Sequence, residues 1–190
     1  MSRKTTARAP DTVELAGDRC VLRPLVSTDA RALCDLRLRN REFFRPWEPL
    51  FDDSHFTLSA QRRAIEGSLD EWTAGREYGF GMFDTEGQLV GRIRLSAVYR
   101  GAWKNANVGY YVDRERNGRG FATEAVGLVT RFAFDQAGLH RVQAAVMPRN
   151  VASVRVLEKN RFRREGAALR YLHIAGTWED HIIYARTAED

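Results

Sequence analysis

Asp113-Arg-Glu-Arg-Asn-Gly-Arg-Gly-Phe-Ala-Thr-Glu124 is a charged, glycine-containing loop between a β-rich run, Ala106 to Val112, and a segment of helical periodicity. In that segment Ala122, Ala125, Val126, Val129, Phe132 and Ala133 recur at i, i+3 and i+4, which predicts one apolar helix face closing at Gly138. Strand, loop and helix in this order make an anion-binding arrangement. The helix N-terminus carries free N–H groups and about half a positive charge, and glycines let a phosphate approach the backbone. Arg114, Arg116 and Arg119 add directional donors around it. The spacing is not a P-loop, because no Gly-Lys-Ser/Thr follows. Nor is it a Gly-x-Gly-x-x-Gly dinucleotide fingerprint, because position 123 is Thr. A nucleoside triphosphate or NAD is therefore disfavoured. Taken alone, an arginine-rich surface loop is an equal alternative.

Outward from this loop the pattern alternates between periods. Val21 to Leu25 reads as a short strand with a proline, near an edge. Ser27 or Thr28, followed by Asp29, can cap a helix carrying Ala32, Leu33, Leu36, Leu38 and Phe43 and stopping before Pro46. A second helix is predicted from Leu58 to Thr73, ending at Gly75. Tyr78 to Phe83 and Leu89 to Val98 form a hairpin around Asp84-Thr-Glu-Gly87, and Ala106 to Val112 continues the meander. Val142 to Met147 is a strand, Ala152 to Lys159 a short helix, and Tyr171 to Ile174 with Ile182 to Ala185 a last hairpin. The fold class is α/β (α+β) with a mainly antiparallel sheet.

At 190 residues, with 44% hydrophobic and 29% charged, the chain fits one soluble globular domain, taken as 13–190 behind a flexible basic tail at 1–12. Cys20 and Cys34 are too few for a disulfide framework or a zinc site and read as two buried, reduced thiols of a cytoplasmic protein. No metal and no membrane association are expected, since no apolar run approaches the length of a bilayer span. The net charge of +5 resolves into Arg3, Lys4 and Arg8 of the tail and the three arginines of the loop against Glu115, with the remainder balanced. One focused phosphate site explains it better than a polyanion-binding surface.

Asn117-Gly-Arg-Gly-Phe-Ala122 resembles the Gln/Arg-x-x-Gly-x-Gly/Ala signature of the GNAT superfamily of acyltransferases, with Asn117 where Gln or Arg is usual. Met147-Pro-Arg-Asn-Val-Ala-Ser153 and Val156-Leu-Glu-Lys-Asn-Arg-Phe162 resemble that family's Asn-x-x-Ser segment and its Lys-x-Gly-Phe ending, with Asn160 and Arg161 replacing Leu-Gly. Asn tolerates a left-handed backbone, so Asn160 is expected to help end that helix. Asn40 to Ser54, with its Pro-Trp-Glu-Pro, and Tyr171 to His181, with its Trp-x-Asp-His, narrow the resemblance to RimJ-type ribosomal-protein-alanine N-acetyltransferases.

The resemblance implies the GNAT fold: one mixed, mainly antiparallel twisted sheet of about seven strands with helices on both faces. It implies acetyl-CoA as cosubstrate, held by Tyr111, Val112, Arg114, Asn117, Gly118, Arg119, Gly120, Phe121, Ala122, Thr123, Asn150 and Ser153. It also implies direct attack of a neutral amine on the thioester. An α-amine, with a pKa of about 7.7–8.0, needs only a weak base, whereas a lysine amine near ~10.4 needs a strong one. Relatives of this branch often place Glu two residues before the Gly-Tyr of the fourth strand. Here that position is Asn107, which cannot act as a base, so Glu48 is the replacement candidate and Asp180 a weaker one, against the plain alternative that Glu48 is a surface carboxylate. The oxyanion would meet backbone N–H groups around Val112. Ser153 would protonate the leaving thiolate, or else cap its helix.

Tyr110 and Tyr111 alternate across their strand, one toward the core and one toward a cleft. Trp47, Glu48, Tyr110 and Trp178 are the acceptor-side candidates. His55, His140, His173 and His181 lack metal-ligand spacing and read as structural or surface residues. Glu48, Asp52 and Asp53 together suggest an acceptor followed by basic residues. The leading function is acetylation of a protein N-terminal alanine, ribosomal or other, by a monomer or homodimer. A small-molecule amine acetyltransferase is the alternative within enzymes. A non-catalytic ribosome- or RNA-binding module is the alternative outside them, and the absence of a basic stripe interleaved with aromatics argues against nucleic-acid binding.

Overall fold

The computed structural model describes residues 9–190. The first eight residues of the expected tail lie outside the described residues; Pro10–Thr12 form a 3-10 turn, and Val13 is buried. The chain order is β1 (Leu15–Ala16), β2 (Cys20–Arg23), α1 (Ala30–Arg39), α2 (Arg41–Phe44), α3 (Leu58–Thr73), β3 (Tyr78–Asp84), β4 (Leu89–Tyr99), β5 (Asn105–Val112), α4 (Phe121–Asp135), β6 (Arg141–Val146), α5 (Val151–Lys159), β7 (Arg163–Ile174) and β8 (Thr177–Thr187). They build one eight-stranded sheet, ordered β1-β2-β3-β4-β5-β6-β8-β7. Among the described residues only β5 and β6 pair in parallel, as expected where α4 makes the crossover between them.

Both faces of the sheet are covered. Tyr78, Phe80 and Met82 of β3 face a core built on α4, where Phe132 meets Phe80, Tyr78 and Trp72. On the other face, Leu33 and Leu36 of α1 and Ile65 of α3 pack with Phe83 and Leu89. This double coverage makes β3 buried along its whole length. Gly79 lies under α3, where a Cβ would come within 2.5 Å of the Ser68 hydroxyl.

The structure departs from the sequence expectations at five places. The two-residue β1 was not expected, and β7 and β8 run 12 and 11 residues, far longer than the apolar stretches that marked their hairpin. β7 is mostly exposed, so hydrophobic pattern marks little of it. The first helix breaks at Asn40, and its buried face carries Arg37 where Leu38 is exposed. Neither Ser27 nor Thr28 caps α1: both lie in a 3-10 turn before it, and the Asp29 carboxylate at its start holds Arg23 and the Val26 N–H. At the end of α5, Arg161 (φ 62) takes the left-handed position expected of Asn160. Asn160 is buried, and its amide donates to the Thr123 and Val156 carbonyls, tying α5 to the first turn of α4.

The same first turn holds the sheet edge. The Glu124 carboxylate accepts the N–H groups of Asp18, Arg19 and Cys20 at 2.8–2.9 Å, fixing the β1–β2 turn beside the helix start. Burial raises the Glu124 pKa, but these hydrogen bonds outweigh it and the net direction is down. A lowered folded pKa means that the group stabilises the fold above the unfolded carboxylate range. That stability is lost as pH falls through the folded value. Glu124→Gln should therefore cost about 1–3 kcal/mol at pH 7. In thermal melts from pH 7 to pH 3, the variant should lose less stability than the parent.

Candidate active site

The glycine loop adopts the conformation its sequence asks for. Asp113 accepts the Glu115 N–H and caps the 3-10 turn Arg114–Arg116, and the chain then passes through Gly118 (φ 75) and Gly120 (φ 88), where a side chain would be strained. At Gly120 a Cβ would also lie 2.7 Å from the Arg19 Nε. Gly120 starts α4, and its carbonyl accepts the Glu124 N–H at 3.0 Å. The N–H groups before Glu124 thus face the loop as the unpaired donors of a helix start. The loop is fastened from α1: Arg39 pairs with Asp113, and the Asn40 amide oxygen accepts the Arg114 N–H at 2.9 Å. Of the three loop arginines, Arg116 is spent on Asp84 (3.2 Å) and Arg114 lies over Phe43, while Arg119 is exposed. Arg19, unremarked in the sequence, joins the cradle because Glu124 holds its backbone.

Next to the loop the sheet opens. β5 pairs with β6 over Asn105–Asn107 only, then diverges. The Asp113 N–H bonds to Val90 of β4, so strand alternation turns the N–H groups of Tyr110 and Val112, beyond the last pair with β6, toward the open side. A cavity of about 430 Å³ occupies the gap. Trp47, Glu48, Tyr110, Tyr111, Asn150 and Ser153 all line it, whereas Val112 has its side chain in the core and Trp178, 60% exposed, packs on His173 outside it.

The two tyrosines divide as alternation requires. Tyr111 joins the α1 face, against Phe44 and under the Arg37 guanidinium. Tyr110 reaches the other way, its hydroxyl 2.9 Å from the Ser153 Oγ. Burial pushes the Tyr110 phenol up to about 12, so it stays protonated at neutral pH. Ser153 does not cap α5. Asn150 does, its side-chain oxygen accepting the Ser153 N–H at 3.1 Å, which leaves the serine hydroxyl to Tyr110 and the cavity.

The acidic loop behaves differently from its expectation. Both Glu48 oxygens accept from Arg37 at 2.8 Å, Asp53 pairs with Arg41, and Asp52 caps the following turn through Ser54. Glu48 and Asp53 are thus paired with arginines while Asp52 stays an exposed carboxylate, and Arg92 and Arg94 line the same cavity. Asp180, the weaker base candidate, lies outside that lining and accepts the Arg170 N–H on an exposed strand. Two of the four histidines do line the cavity. His55 stacks on Phe51, and burial, then Arg37, lower its pKa. His181 is 3% exposed, with its Nδ1 2.9 Å from the Glu179 carbonyl. Among the described residues no cluster of His, Cys, Asp and Glu could hold a metal, and no helix is long and apolar enough to cross a membrane.

The Arg37 side chain is 4% exposed and that of Glu48 19%, so removing one partner strands a largely buried charge. Arg37→Met should cost about 3 kcal/mol, lowering Tm by roughly 6–12 °C. Arg37→Met with Glu48→Leu should recover most of that loss in the same melts.

Comparison with known proteins agrees with this geometry. The profile described as "Acetyltransferase (GNAT) domain" matches residues 19–163. The chain is 41% identical over 172 residues to "Probable N-acetyltransferase YjcK" of Bacillus subtilis (strain 168), covering 90% of this chain and 95% of that one. It is 35% identical over 180 residues to the "[Ribosomal protein uS5]-alanine N-acetyltransferase" of Escherichia coli (strain K12), covering 94% and 92%. Among solved structures, Mycobacterium smegmatis RimJ in complex with CoA-disulfide superposes with a TM-score of 0.86 at 35% identity, covering 90% of this chain and 82% of that one. A glycine cradle at a helix start, a sheet split beside it and these matches lead to one conclusion: the chain belongs to the GNAT acetyltransferase family.

Proposed function

We propose that this GNAT acetyltransferase moves the acetyl group of acetyl-CoA to the α-amine of a protein N-terminus, most directly an alanine N-terminus of a ribosomal protein. The observation that carries the reading is the split between β5 and β6, which joins the glycine cradle to a cavity open to an incoming amine. The similarity to the uS5-alanine enzyme supports the acceptor class. Bound acetyl-CoA supplies the activated thioester carbonyl. Gly118, Arg119, Gly120, Phe121, Ala122 and Thr123 hold its pyrophosphate through backbone N–H groups, with Arg114, Arg119 and Asn117 at the rim. The freed N–H groups of β5 around Val112 and Tyr110 hold the pantetheine arm and the carbonyl oxygen, with Tyr111 and Asn150 along that path.

Ser153 gives its hydroxyl proton to the departing sulfur, and the protonated Tyr110 phenol positions it. Trp47 and Glu48 shape the acceptor entrance, Glu48 as a positioned carboxylate whose oxygens both serve Arg37. The β1-to-β8 sheet, spanning Leu15–Thr187, supports reading 13–190 as one domain.

The test is thiol release from acetyl-CoA with peptides beginning Ala, Ser or Thr, alongside Nε-lysine and small amines. Turnover should be highest with an N-terminal peptide; preference for a small amine would move the acceptor to that class, and binding of RNA without turnover would remove the reading. Ser153→Ala should lower kcat by about 10–100-fold with little change in acetyl-CoA affinity. Unchanged turnover would exclude Ser153 as the proton donor.

A further inference from the structure

The family position that often carries a glutamate is Asn107 here, and both oxygens of Glu48 are engaged by Arg37, so the cavity has no evident group to receive the acceptor's proton. His181 fills that gap. It sits on β8 at the cavity wall, 3% exposed, with Tyr171 edge-on to its ring. Its Nδ1 lies 2.9 Å from the Glu179 carbonyl. A carbonyl only accepts hydrogen bonds, so Nδ1 carries the proton and Nε2 of the neutral ring keeps its lone pair. No donor to Nε2 is found among the described residues. The neighbouring charges are committed elsewhere: the Glu179 carboxylate to Arg149, and the Asp180 carboxylate to the Arg170 N–H. Across the cavity stand Arg37 with Glu48, Arg92, Arg94, His55, Tyr110 and Tyr111.

We propose that His181 is the general base, its Nε2 receiving the proton of the acceptor ammonium, with the Glu179 carbonyl holding the tautomer that makes this nitrogen available. The inference rests on the acetyltransferase reading above. One ammonium proton goes to Nε2, and the freed amine forms the C–N bond as the C–S bond breaks. The second N–H proton reaches the sulfur through the Ser153 hydroxyl, which gives up its own proton and takes that one. His181 then returns the first proton to solvent. The balance is one amide, one thiol and one released proton. Arg37 and Arg94 are balanced by Glu48 and Glu77, and the positive charge of Arg92 on the same cavity favours the neutral amine over the ammonium.

His181→Asn keeps a donor for the Glu179 carbonyl and removes the base. It should bind acetyl-CoA within threefold of the parent by calorimetry while kcat for an Ala-peptide falls roughly 100-fold at pH 6.5. The deficit should shrink toward tenfold or less at pH 9, where the α-amine is neutral unaided. Nitrogen-15 NMR of the unliganded protein should show the His181 ring in the Nδ1–H tautomer. His55→Gln should retain the parental profile. A kcat deficit independent of pH, an Nε2–H tautomer, or transfer of the acid limb to His55 would overturn the proposal. If no acceptor in the panel releases thiol even with the parent, the acetyltransferase reading itself has failed, while parental turnover with an unchanged His181→Asn profile defeats the His181 inference alone.

Discussion

The parallel pairing of β5 with β6 lasts for three residues, Asn105 to Asn107, and everything functional in the molecule follows from its ending there. Backbone donors in a sheet normally have no capacity left for a ligand. Where β6 diverges, the N–H groups of Tyr110 and Val112 lose their neighbour, and the strand becomes a row of fixed donors in a gap between two packed halves. The crossover helix α4 makes the divergence possible, because it connects the two parallel strands and presents its own unpaired N-terminal donors at the upper end of the gap. Strand edge and helix start thus give one continuous set of donors, suited to an elongated ligand with phosphate at one end and a carbonyl at the other.

A split sheet needs fastening, and polar contacts do much of this. Arg39 and Asn40 tie the end of α1 to Asp113 and Arg114 at the loop. Glu124 ties the β1–β2 turn to α4, and Asn160 ties α5 to the same helix turn. Arg149 reaches from the start of α5 to Glu179 on β8 and to the Pro46 carbonyl. The Ala175 N–H bonds to the Glu48 carbonyl, joining the tip of the last hairpin to the loop after α2. The cavity is therefore bordered by segments from distant parts of the chain whose relative positions are set by named hydrogen bonds.

The sequence made the elements that bury apolar faces legible. α3 and α4 carry clear helical periodicity and β3 to β6 strong β patterns, and each lies within a residue or two of its expected place. The glycine loop was legible for another reason: glycines and arginines at a strand-to-helix junction leave few uses for the backbone. What escaped were features decided by partners distant in sequence. Arg37 is buried because Glu48 and four aromatic rings surround it, and helical spacing alone selects Leu38. Ser153 and Asn150 are both good capping residues, and only the observed Asn150 to Ser153 contact separates their roles. His181 lacks metal-ligand spacing, although it ends the Trp-x-Asp-His segment that carries the resemblance, and its Nδ1 contact with the Glu179 carbonyl is visible only in the structure. The exposed β7 carries too little hydrophobic contrast for its length to be read.

One continuous row of backbone donors, from the start of α4 down the freed edge of β5, is thus proposed to bind the cosubstrate. A crystal structure of the protein with coenzyme A tests it most directly. The pyrophosphate should lie on the N–H groups of Gly118 to Thr123, the pantetheine arm along β5 between Val112 and Tyr110, and the sulfur within hydrogen-bond distance of the Ser153 hydroxyl. Coenzyme A bound with its phosphates away from the glycine loop, or with its arm outside the β5–β6 gap, would contradict it.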